Sequence, residues 1–249
     1  MSMLGPYASW NKETGYAVWD HPTAEYTGIF ERINVGIKGI IHVGMWDFVE
    51  YGCYTKLVGN KVVGVEANPE VYRTMAKPVA DKWGFKCFNE FTSDKDDEVR
   101  NFYFAGEGSS LYQGQPSWNK QTSIKVQTKT LATVLDENEH DPAEYDFLNI
   151  DAEGSELDIL KGYERYLEHV NVIDLETSYD DRHLSGASHD KIASWLSERG
   201  FELKEQSPTY DSQQWGDSVF VRVDRELPPF VDGNAGNAIF GEKYLENSR

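Results

Sequence analysis

A glycine and an acid placed 22 positions apart could hold a nucleoside. Gly44 follows the apolar run IIHV, and Glu66 follows the apolar run VVGV. In a doubly wound α/β sheet, a glycine after the first strand lets the backbone approach a ligand, and an acid roughly 20 residues further on accepts hydrogen bonds from ribose hydroxyls. The spacing fits a nucleoside cofactor, and it fits a plain turn glycine and a helix-capping acid about equally well.

The segment YDFLNIDAEGSELDILKG carries a second group of acids. Asp151 ends a predicted buried strand, and Glu153 and Glu156 follow it. Ligands of open α/β sheets bind at the carboxyl ends of the strands, so these acids are expected near the ligand. Glu153 and Glu156 also suit the first turn of a helix, where the helix dipole favours negative charge. Of the three, we therefore favour a functional role for Asp151.

Asp151, Glu153 and Glu176 offer the hard oxygen ligands that suit magnesium. Acidic residues are so frequent in this chain that ligand type alone predicts no metal site.

The elements that would position these residues alternate between strands and helices. Short β-branched runs predict strands at residues 39–43, 61–66, 85–89, 146–151, 170–176, 201–205 and 217–223. Helical spacing predicts helices within residues 48–58, 70–82, 130–137, 153–167 and 189–199, with Ser188 capping the last helix and Gly200 ending it. This alternation predicts an α/β fold: a doubly wound, mostly parallel, Rossmann-like sheet of seven strands with helices on both faces.

Three further parts of the chain complete the expected organisation. Residues 99–126 are predicted to form two strands joined by a long loop, which is a common place for function. Residues 1–36, rich in aromatic residues and glycine, are predicted to be an N-terminal extension. Residues 37–225 form the main domain, and residues 226–249 form a C-terminal tail. Both ends are expected to wrap the core or to help a homo-oligomer form.

The motifs resemble those of the FkbM family of S-adenosylmethionine-dependent methyltransferases, which have the class I methyltransferase fold. The matching pieces occur in the family's order over about residues 37–223: IIHVG, VVGVEANPEVY, FTSDKDDEVRNFY, GSSL, TLATVLDE, YDFLNIDAEGSELDILKG, VIDLETS and WGDSVFVR. The element NIDAEGSELDILKG is the most specific of them.

The resemblance implies a role for each matching position. It places S-adenosylmethionine against the residues His42, Gly44, Met45, Glu66, Ala67, Asn68, Ser93, Asp94 and Asp151. Within that set, Glu66 would bind the ribose hydroxyls, and Ser93 and Asp94 would flank the adenine. The long loop would contribute Ser109 and Ser110 to the acceptor side. Asp151, Glu153 and His183 are the candidate catalytic residues, because methyl transfer to a hydroxyl needs a base that accepts its proton.

The turn after the first strand departs from the family pattern. Family members usually carry a small residue, then Asn or His, and a second glycine where this chain has Met45, Trp46 and Phe48. Three arrangements are compatible with this change. The turn is rebuilt with Trp46 or Phe48 packed on the adenosine, the helix register shifts so that Gly52 compensates, or the pocket is plugged.

The leading hypothesis is an S-adenosylmethionine-dependent O-methyltransferase that acts on a carbohydrate or a similar small hydroxylated acceptor. The alternative is a catalytically inactive relative that binds a sugar or a partner protein. A gain of cofactor affinity on changing Trp46→Asn together with Phe48→Gly would favour that alternative. A nicotinamide-dependent dehydrogenase ranks last, because the chain lacks the three-glycine fingerprint.

Composition limits the partners. The net charge of −18, from 42 acidic and 24 basic residues, repels phosphate backbones, so no nucleic acid partner is expected for this acidic protein. No apolar run approaches the length of a membrane span, and no leader pattern is evident at the start, so we expect a protein without membrane attachment. Two cysteines favour reduced thiols and a cytoplasmic location.

Overall fold

A computed structural model describes residues 8–11, 16–19, 22–48, 50–114, 122–178, 186–208 and 215–231. The strands are β1 (Ala8–Asn11), β2 (Tyr16–Trp19), β3 (Ile40–Val43), β4 (Val62–Val65), β5 (Lys86–Phe88), β6 (Phe91–Ser93), β7 (Val99–Phe104), β8 (Thr122–Thr130), β9 (Phe147–Ile150), β10 (Val172–Ser178), β11 (Phe201–Pro208) and β12 (Trp215–Arg222). The helices are α1 (Pro22–Ile33), α2 (Tyr51–Val58), α3 (Pro69–Val71), α4 (Lys77–Trp83), α5 (Leu131–Glu137), α6 (Glu156–Gly162) and α7 (His189–Ser197). A π-helical turn, Tyr72–Ala76, joins α3 to α4, and 3₁₀ turns cover Pro142–Glu144 and Glu164–His169.

The central sheet has seven strands in the order β11-β12-β10-β9-β3-β4-β5. Strands β10, β9, β3, β4 and β5 pair in parallel, and β12 runs antiparallel between β10 and β11. The chain order reverses between β3 and β9, which is the point where ligands bind in doubly wound sheets. The predicted fold class is confirmed.

Two apolar cores cover the two faces of this sheet. Successive strand residues point to opposite faces, so Ile41 and Val43 join one core while Ile40 joins the other. Strands buried on both faces explain why the sequence runs IIHV and VVGV are almost continuously apolar. In the described residues, no helix is long and apolar enough to cross a membrane.

Helix α1 lies within the segment that the sequence predicted to be an irregular extension. Its Phe30 ring meets the Phe147 ring of the central strand β9 edge to face, at 5.0 Å between centroids. On the C-terminal side, the Gly36 amide donates to the Pro228 carbonyl at 2.8 Å, and Phe230 packs against the same core. Helix α1 and residues 227–230 therefore pack against the core.

The ends of two helices differ from the prediction. The helix predicted within residues 153–167 begins at Glu156 and changes to a 3₁₀ turn after Gly162. Ser188 lies at the start of α7, but its side chain makes no capping hydrogen bond. Gly200 does adopt the expected left-handed conformation, with φ of 80°.

A smaller sheet in the order β6-β8-β7 stands beside the central one. Strand β8 pairs in parallel with β6 and antiparallel with β7. The two strands predicted within residues 99–126 are confirmed, and the loop that follows β7 reaches back toward the central sheet. Part of that loop, residues 115–121, lies outside the described residues.

Candidate active site

A cavity of about 730 Å³ opens at the carboxyl ends of β3, β4, β9 and β10. One side carries the turn after β3 and the acid after β4, and the other carries the acids after β9 and at β10. Residues 105–111, in the loop after β7, form the facing wall. A cavity of this size at a switch point is a typical ligand site.

Gly44 lets the ends of β3 and β9 meet. Its φ is 87°, and a Cβ atom at this position would lie 1.6 Å from the Asp151 carbonyl oxygen. The Gly44 amide donates to the Val65 carbonyl at 2.9 Å, and the Asp151 amide donates to the Val43 carbonyl at 2.9 Å. Only glycine fits where the backbone after β3 lies against the backbone after β9, and this close contact forms the floor of the cavity.

The large residues of the turn separate into two groups. Phe48 is fully buried and meets the rings of His42, Tyr54 and Phe85 at centroid distances of 5.9, 5.9 and 5.5 Å. Met45 is 2% exposed, and its side chain occupies the space left by Gly64, where a Cβ atom would lie 2.0 Å from the sulfur. Trp46 is the half-buried member. Trp46 and Met45 both line the cavity, and Phe48 does not.

The backbone of this turn adopts an uncommon conformation. Trp46 and Phe48 have φ values of 43° and 55°, in the left-handed region of backbone conformation that residues other than glycine rarely adopt. The turn is therefore rebuilt so that two of its three large side chains pack in the core beneath the sheet. The Phe48 side chain does not fill the cavity.

Glu66 is held at the cavity edge by the rebuilt turn. One carboxylate oxygen accepts from the Trp46 amide at 3.0 Å, and the other accepts from the Asn68 amide at 2.7 Å. Burial raises the pKa of Glu66, and these backbone hydrogen bonds act against that rise. Ala67 and Asn68 also line the cavity, and the Asn68 side chain caps α3 by accepting from the Glu70 amide at 3.1 Å.

His42 does not line the cavity, although the sequence placed it against the cofactor. It is 2% exposed, and its Nδ1 lies 3.2 Å from the Tyr54 hydroxyl, beneath α2. Burial lowers the pKa of His42 to about 4, so the ring is neutral near pH 7. In β3, Val43 and Gly44 rather than His42 face the ligand space.

Ser93 and Asp94 also lie away from the cavity wall. The Ser93 hydroxyl is buried, accepts from Arg100 at 2.8 Å and donates to the Asp94 carboxylate at 3.3 Å. Phe91 and Thr92 of the same strand line the cavity instead. The cavity wall in this segment is therefore formed by the start of β6, and not by the two residues that the resemblance placed beside the adenine.

Three carboxylates converge on the opposite side of the cavity. Asp151, Glu153 and Glu176 each place an oxygen within 4.8 Å of the others, and the carboxyls of Asp151 and Glu176 are in hydrogen-bonding contact. Burial and the charges of neighbouring acids, Glu153 foremost, raise the pKa of Glu176 to about 8. Burial, then the charges of Glu176 and Glu153, also raise the pKa of Asp151, although this residue is still exposed to water within the cavity.

Hydrogen bonds between side chains and the backbone hold the loop that carries Glu153. The Glu156 carboxylate accepts from the amides of Ala152 at 3.1 Å and Gly154 at 2.9 Å. Glu153 itself has a φ of 53°, and its carbonyl accepts from the Ser110 hydroxyl at 2.6 Å. Glu156, which the sequence grouped with the functional acids, is thus a buried support for this loop.

Ser109 and Ser110 lie on the cavity wall where the sequence placed the acceptor side. The Ser109 hydroxyl donates to the Gly106 carbonyl at 2.6 Å and accepts from the Ala105 amide at 3.0 Å. The Ser110 hydroxyl accepts from the Tyr112 amide at 2.9 Å in addition to its bond with the Glu153 loop. Both hydroxyls therefore shape the loop. His183 lies outside the described residues.

Glu50 is a cavity residue that the sequence reasoning missed. Its Oε2 atom is enclosed and accepts no hydrogen bond from the described residues. Burial raises the pKa of Glu50 to about 7, and the charges of Asp47 and Asp217 act in the same direction. Its position just before α2, beside the altered turn, was the only signal in the sequence.

We expect the stability of the fold to decrease as the pH rises from about 5 to about 8. Glu50 and Glu176 ordinarily titrate near 4.5, but their folded-state pKa values are about 7 and about 8. In this window the folded protein holds protons that the unfolded chain has released, so a rise in pH favours unfolding. His42 acts oppositely, because burial lowers its pKa from 6.5 to about 4, and the lowered pKa values of His140 and His189 act in the same sense. The pKa values of Asp151, Glu66 and Asp146 are also raised by burial and add to the effect of Glu50 and Glu176.

Urea unfolding in the presence of a chelator, at several pH values across this window, checks the expectation. Glu176→Gln removes one of the two raised carboxyls and should make the decrease shallower. An increase of stability above pH 6.5 would contradict the assignment.

The family model of the FkbM methyltransferase domain matches residues 35–203. The chain therefore belongs to the FkbM methyltransferase family, and S-adenosylmethionine is its cofactor. None of the curated proteins shows significant sequence similarity to the chain.

Several solved methyltransferases show limited structural similarity to the chain at low sequence identity. A putative RNA methyltransferase from Pyrococcus horikoshii is 13% identical, with a TM-score of 0.45 over 82% of this chain and 83% of that one. TrmK of M. capricolum, in complex with S-adenosylhomocysteine, is 10% identical, with a TM-score of 0.47 over 82% and 70%. Magnesium protoporphyrin IX methyltransferase of Synechocystis, with bound S-adenosylmethionine, is 9% identical, with a TM-score of 0.44 over 81% and 78%. Similarity at this level carries no argument about the acceptor.

Proposed function

We propose that this protein transfers a methyl group from S-adenosylmethionine to a hydroxyl group of a carbohydrate or a similar small acceptor. The observation that carries the proposal is one cavity that joins two sets of residues. Gly44 and Glu66 lie on the side where a nucleoside would bind, and Asp151 and Glu176 lie on the side where an acceptor would lose its proton.

The cavity fits the cofactor in shape and in charge. Among the described residues that line it, seven are acidic and none is lysine, arginine or histidine. S-Adenosylmethionine carries a sulfonium and an ammonium group, so this wall is electrostatically complementary to it. Glu66 would hold the ribose hydroxyls, because its two oxygens have acceptor capacity beyond the backbone amides of Met45, Trp46 and Asn68 that they already bind.

S-Adenosylmethionine supplies an electrophilic methyl group when it is bound. The chain itself must orient the acceptor oxygen and accept its proton. The pair of Asp151 and Glu176 suits the second task, because the deprotonated member of a carboxyl pair with raised pKa values is a better base than an ordinary carboxylate. Glu153 lies within reach of both and would hold the acceptor in place.

A small acceptor suits the charge of the site better than a nucleic acid. The net charge of −18 and the acidic cavity wall repel phosphates. The inactive-relative alternative drew its support from a filled cofactor turn, and the core packing of Phe48, which does not line the cavity, argues against it.

Titration with S-adenosylhomocysteine tests the proposal. The wild-type protein should bind it with a micromolar Kd, about −8 kcal/mol. Glu66→Gln should weaken binding by about 10- to 100-fold, because hydrogen bonds to a charged group contribute about 1.5–3 kcal/mol. Glu98→Gln, at an exposed position, is the control for the loss of one negative charge and should bind normally.

A folded wild-type protein that releases no heat with S-adenosylmethionine or S-adenosylhomocysteine would refute the proposal. If the cofactor binds, a methylation screen with sugars and with transfer RNA compares the two acceptor classes. Methylation of the RNA alone would overturn the choice of a small acceptor.

A further inference from the structure

A tyrosine next to the cavity-wall loop binds an ion pair that lies behind the cavity wall. The Tyr112 hydroxyl donates to Oδ2 of Asp158 at 2.6 Å, and the same oxygen accepts from Nη1 of Arg100 at 3.0 Å. The guanidinium carbon of Arg100 lies 4.8 Å from the centre of the Tyr112 ring. The three side chains therefore form one contact group with Asp158 at its centre.

The ion pair gives Tyr112 a fixed partner. Asp158 lies in the first turn of α6, and Arg100 lies in β7. Their side chains are only 18% and 17% exposed, so their attraction is screened less than that of a surface pair. Arg100 also donates to the Ser93 hydroxyl in β6 at 2.8 Å, which ties the pair to the smaller sheet.

Tyr112 directly follows two residues that connect the two sides of the cavity. The Ser110 hydroxyl donates to the Glu153 carbonyl at 2.6 Å, on the acid side. Leu111 belongs to a small apolar cluster against which Ala67 packs, on the nucleoside side. Because Ser110 and Leu111 both line the cavity, a movement of Tyr112 would change the wall on both sides at once.

We propose that Tyr112 is a positioning residue of this methyltransferase, which holds Ser110 and Leu111 in place across the cavity through its hydrogen bond to Asp158. Tyr112 does not line the cavity itself, so it acts through these two neighbours. A carboxylate acceptor makes this bond stronger than one between neutral groups. The effect on cofactor binding rests on the proposed function, whereas the attachment of the loop does not.

Hydrogen exchange of the full-length protein without ligand, followed by mass spectrometry, tests the attachment. The amides of Ser110 and Tyr112 are hydrogen-bonded, to the Tyr103 carbonyl at 3.1 Å and to the Ser110 hydroxyl at 2.9 Å. Tyr112→Phe keeps the ring and removes only the hydroxyl. Peptides that contain these two amides should then exchange about tenfold faster, because loss of a hydrogen bond to a charged group favours local opening.

Tyr103→Phe is the matched control for the loss of one tyrosine hydroxyl. The Tyr103 hydroxyl lies 3.4 Å from the amide nitrogen of the exposed Asn101 side chain, and Tyr103 does not line the cavity. This variant should exchange as the wild type does.

Titration with S-adenosylhomocysteine tests the consequence for the cavity. Tyr112→Phe should weaken binding by about three- to tenfold, because fewer molecules present Ser110 and Leu111 to the ligand. Each variant is titrated well below its melting temperature, so the affinity is that of the folded protein. In an Asp158→Ala background, Tyr112→Phe should change the affinity by less than about twofold, since its partner is already lost.

Equal exchange rates in Tyr112→Phe and the wild type would overturn the attachment. Faster exchange with unchanged affinity would overturn the role in cofactor binding, and independent losses from Tyr112→Phe and Asp158→Ala would show that Tyr112 does not act through Asp158. If the folded wild type does not bind S-adenosylhomocysteine, the proposed function is refuted, and the exchange rates alone decide the attachment of the loop.

Discussion

Replacing Gly44 with alanine is expected to destabilise the fold by about 3 kcal/mol or more and to abolish cofactor binding. The new Cβ atom would lie 1.6 Å from the Asp151 carbonyl oxygen, so β3 and β9 would have to separate where they form the cavity floor. A left-handed backbone costs about 1–3 kcal/mol for a residue other than glycine, and overpacking against a fixed backbone adds about 1–3 kcal/mol.

Gly84→Ala is the matched control. Gly84 has a similar φ of 75°, but a Cβ atom there meets nothing within 4 Å. Gly84→Ala should destabilise the fold by about 1 kcal/mol, from the backbone conformation alone. Urea unfolding and S-adenosylhomocysteine titration of both variants measure the difference. Equal losses of stability would show that the contact with Asp151 does not constrain the site.

Replacing Phe48 with alanine is expected to reduce stability by about 3–5 kcal/mol, the range for a buried aromatic residue. Phe48 is fully buried among His42, Tyr54 and Phe85, and it does not line the cavity. The folded fraction should therefore bind S-adenosylhomocysteine within about threefold of the wild type, a change below about 1 kcal/mol.

Trp46→Ala should give the opposite result. Trp46 is half-buried and lies on the cavity wall, so its removal should alter cofactor affinity more than stability. A Phe48→Ala variant that is stable but does not bind S-adenosylhomocysteine would show that Phe48 contacts the cofactor.

The double change Trp46→Asn with Phe48→Gly alters a cavity residue and a core residue together. A loss of binding by this variant therefore cannot distinguish a change in the cavity from unfolding of the protein.

The sequence predicted the central sheet because that sheet is buried on both faces. Strands such as β3 and β4 must then be almost wholly apolar, and the glycine and acid that follow them stand out. Gly44, Glu66 and Asp151 could be predicted for this reason, since the end of a buried strand fixes where the next residue lies. The family match over residues 35–203 extends the same argument along the chain.

The orientation of individual side chains could not be predicted in the same way. His42 lies in a predicted strand, whereas Ser93 lies in β6, which the sequence did not predict. Packing against Tyr54 turns His42 from the cavity, and a hydrogen bond from Arg100 does the same for Ser93. Helix α1 carries Ile29, Phe30 and Ile33 at helical spacing, a signal that the prediction of an extension overlooked, and its contact with the Phe147 ring is visible only once the sheet is assembled. Glu50 needed the rebuilt turn to bring it to the cavity wall.

The packing of Met45 against Gly64 constrains the order in which this turn can change. A larger residue at position 64 would collide with the Met45 side chain, since even a Cβ atom there would lie 2.0 Å from its sulfur. An ancestor with a small residue at position 45 and a side chain at position 64 would therefore have to acquire the glycine before the methionine. The reverse order of changes must shorten Met45 first, which leaves a void in a packed core. The two positions form an epistatic pair, and a comparison of relatives should consider them together.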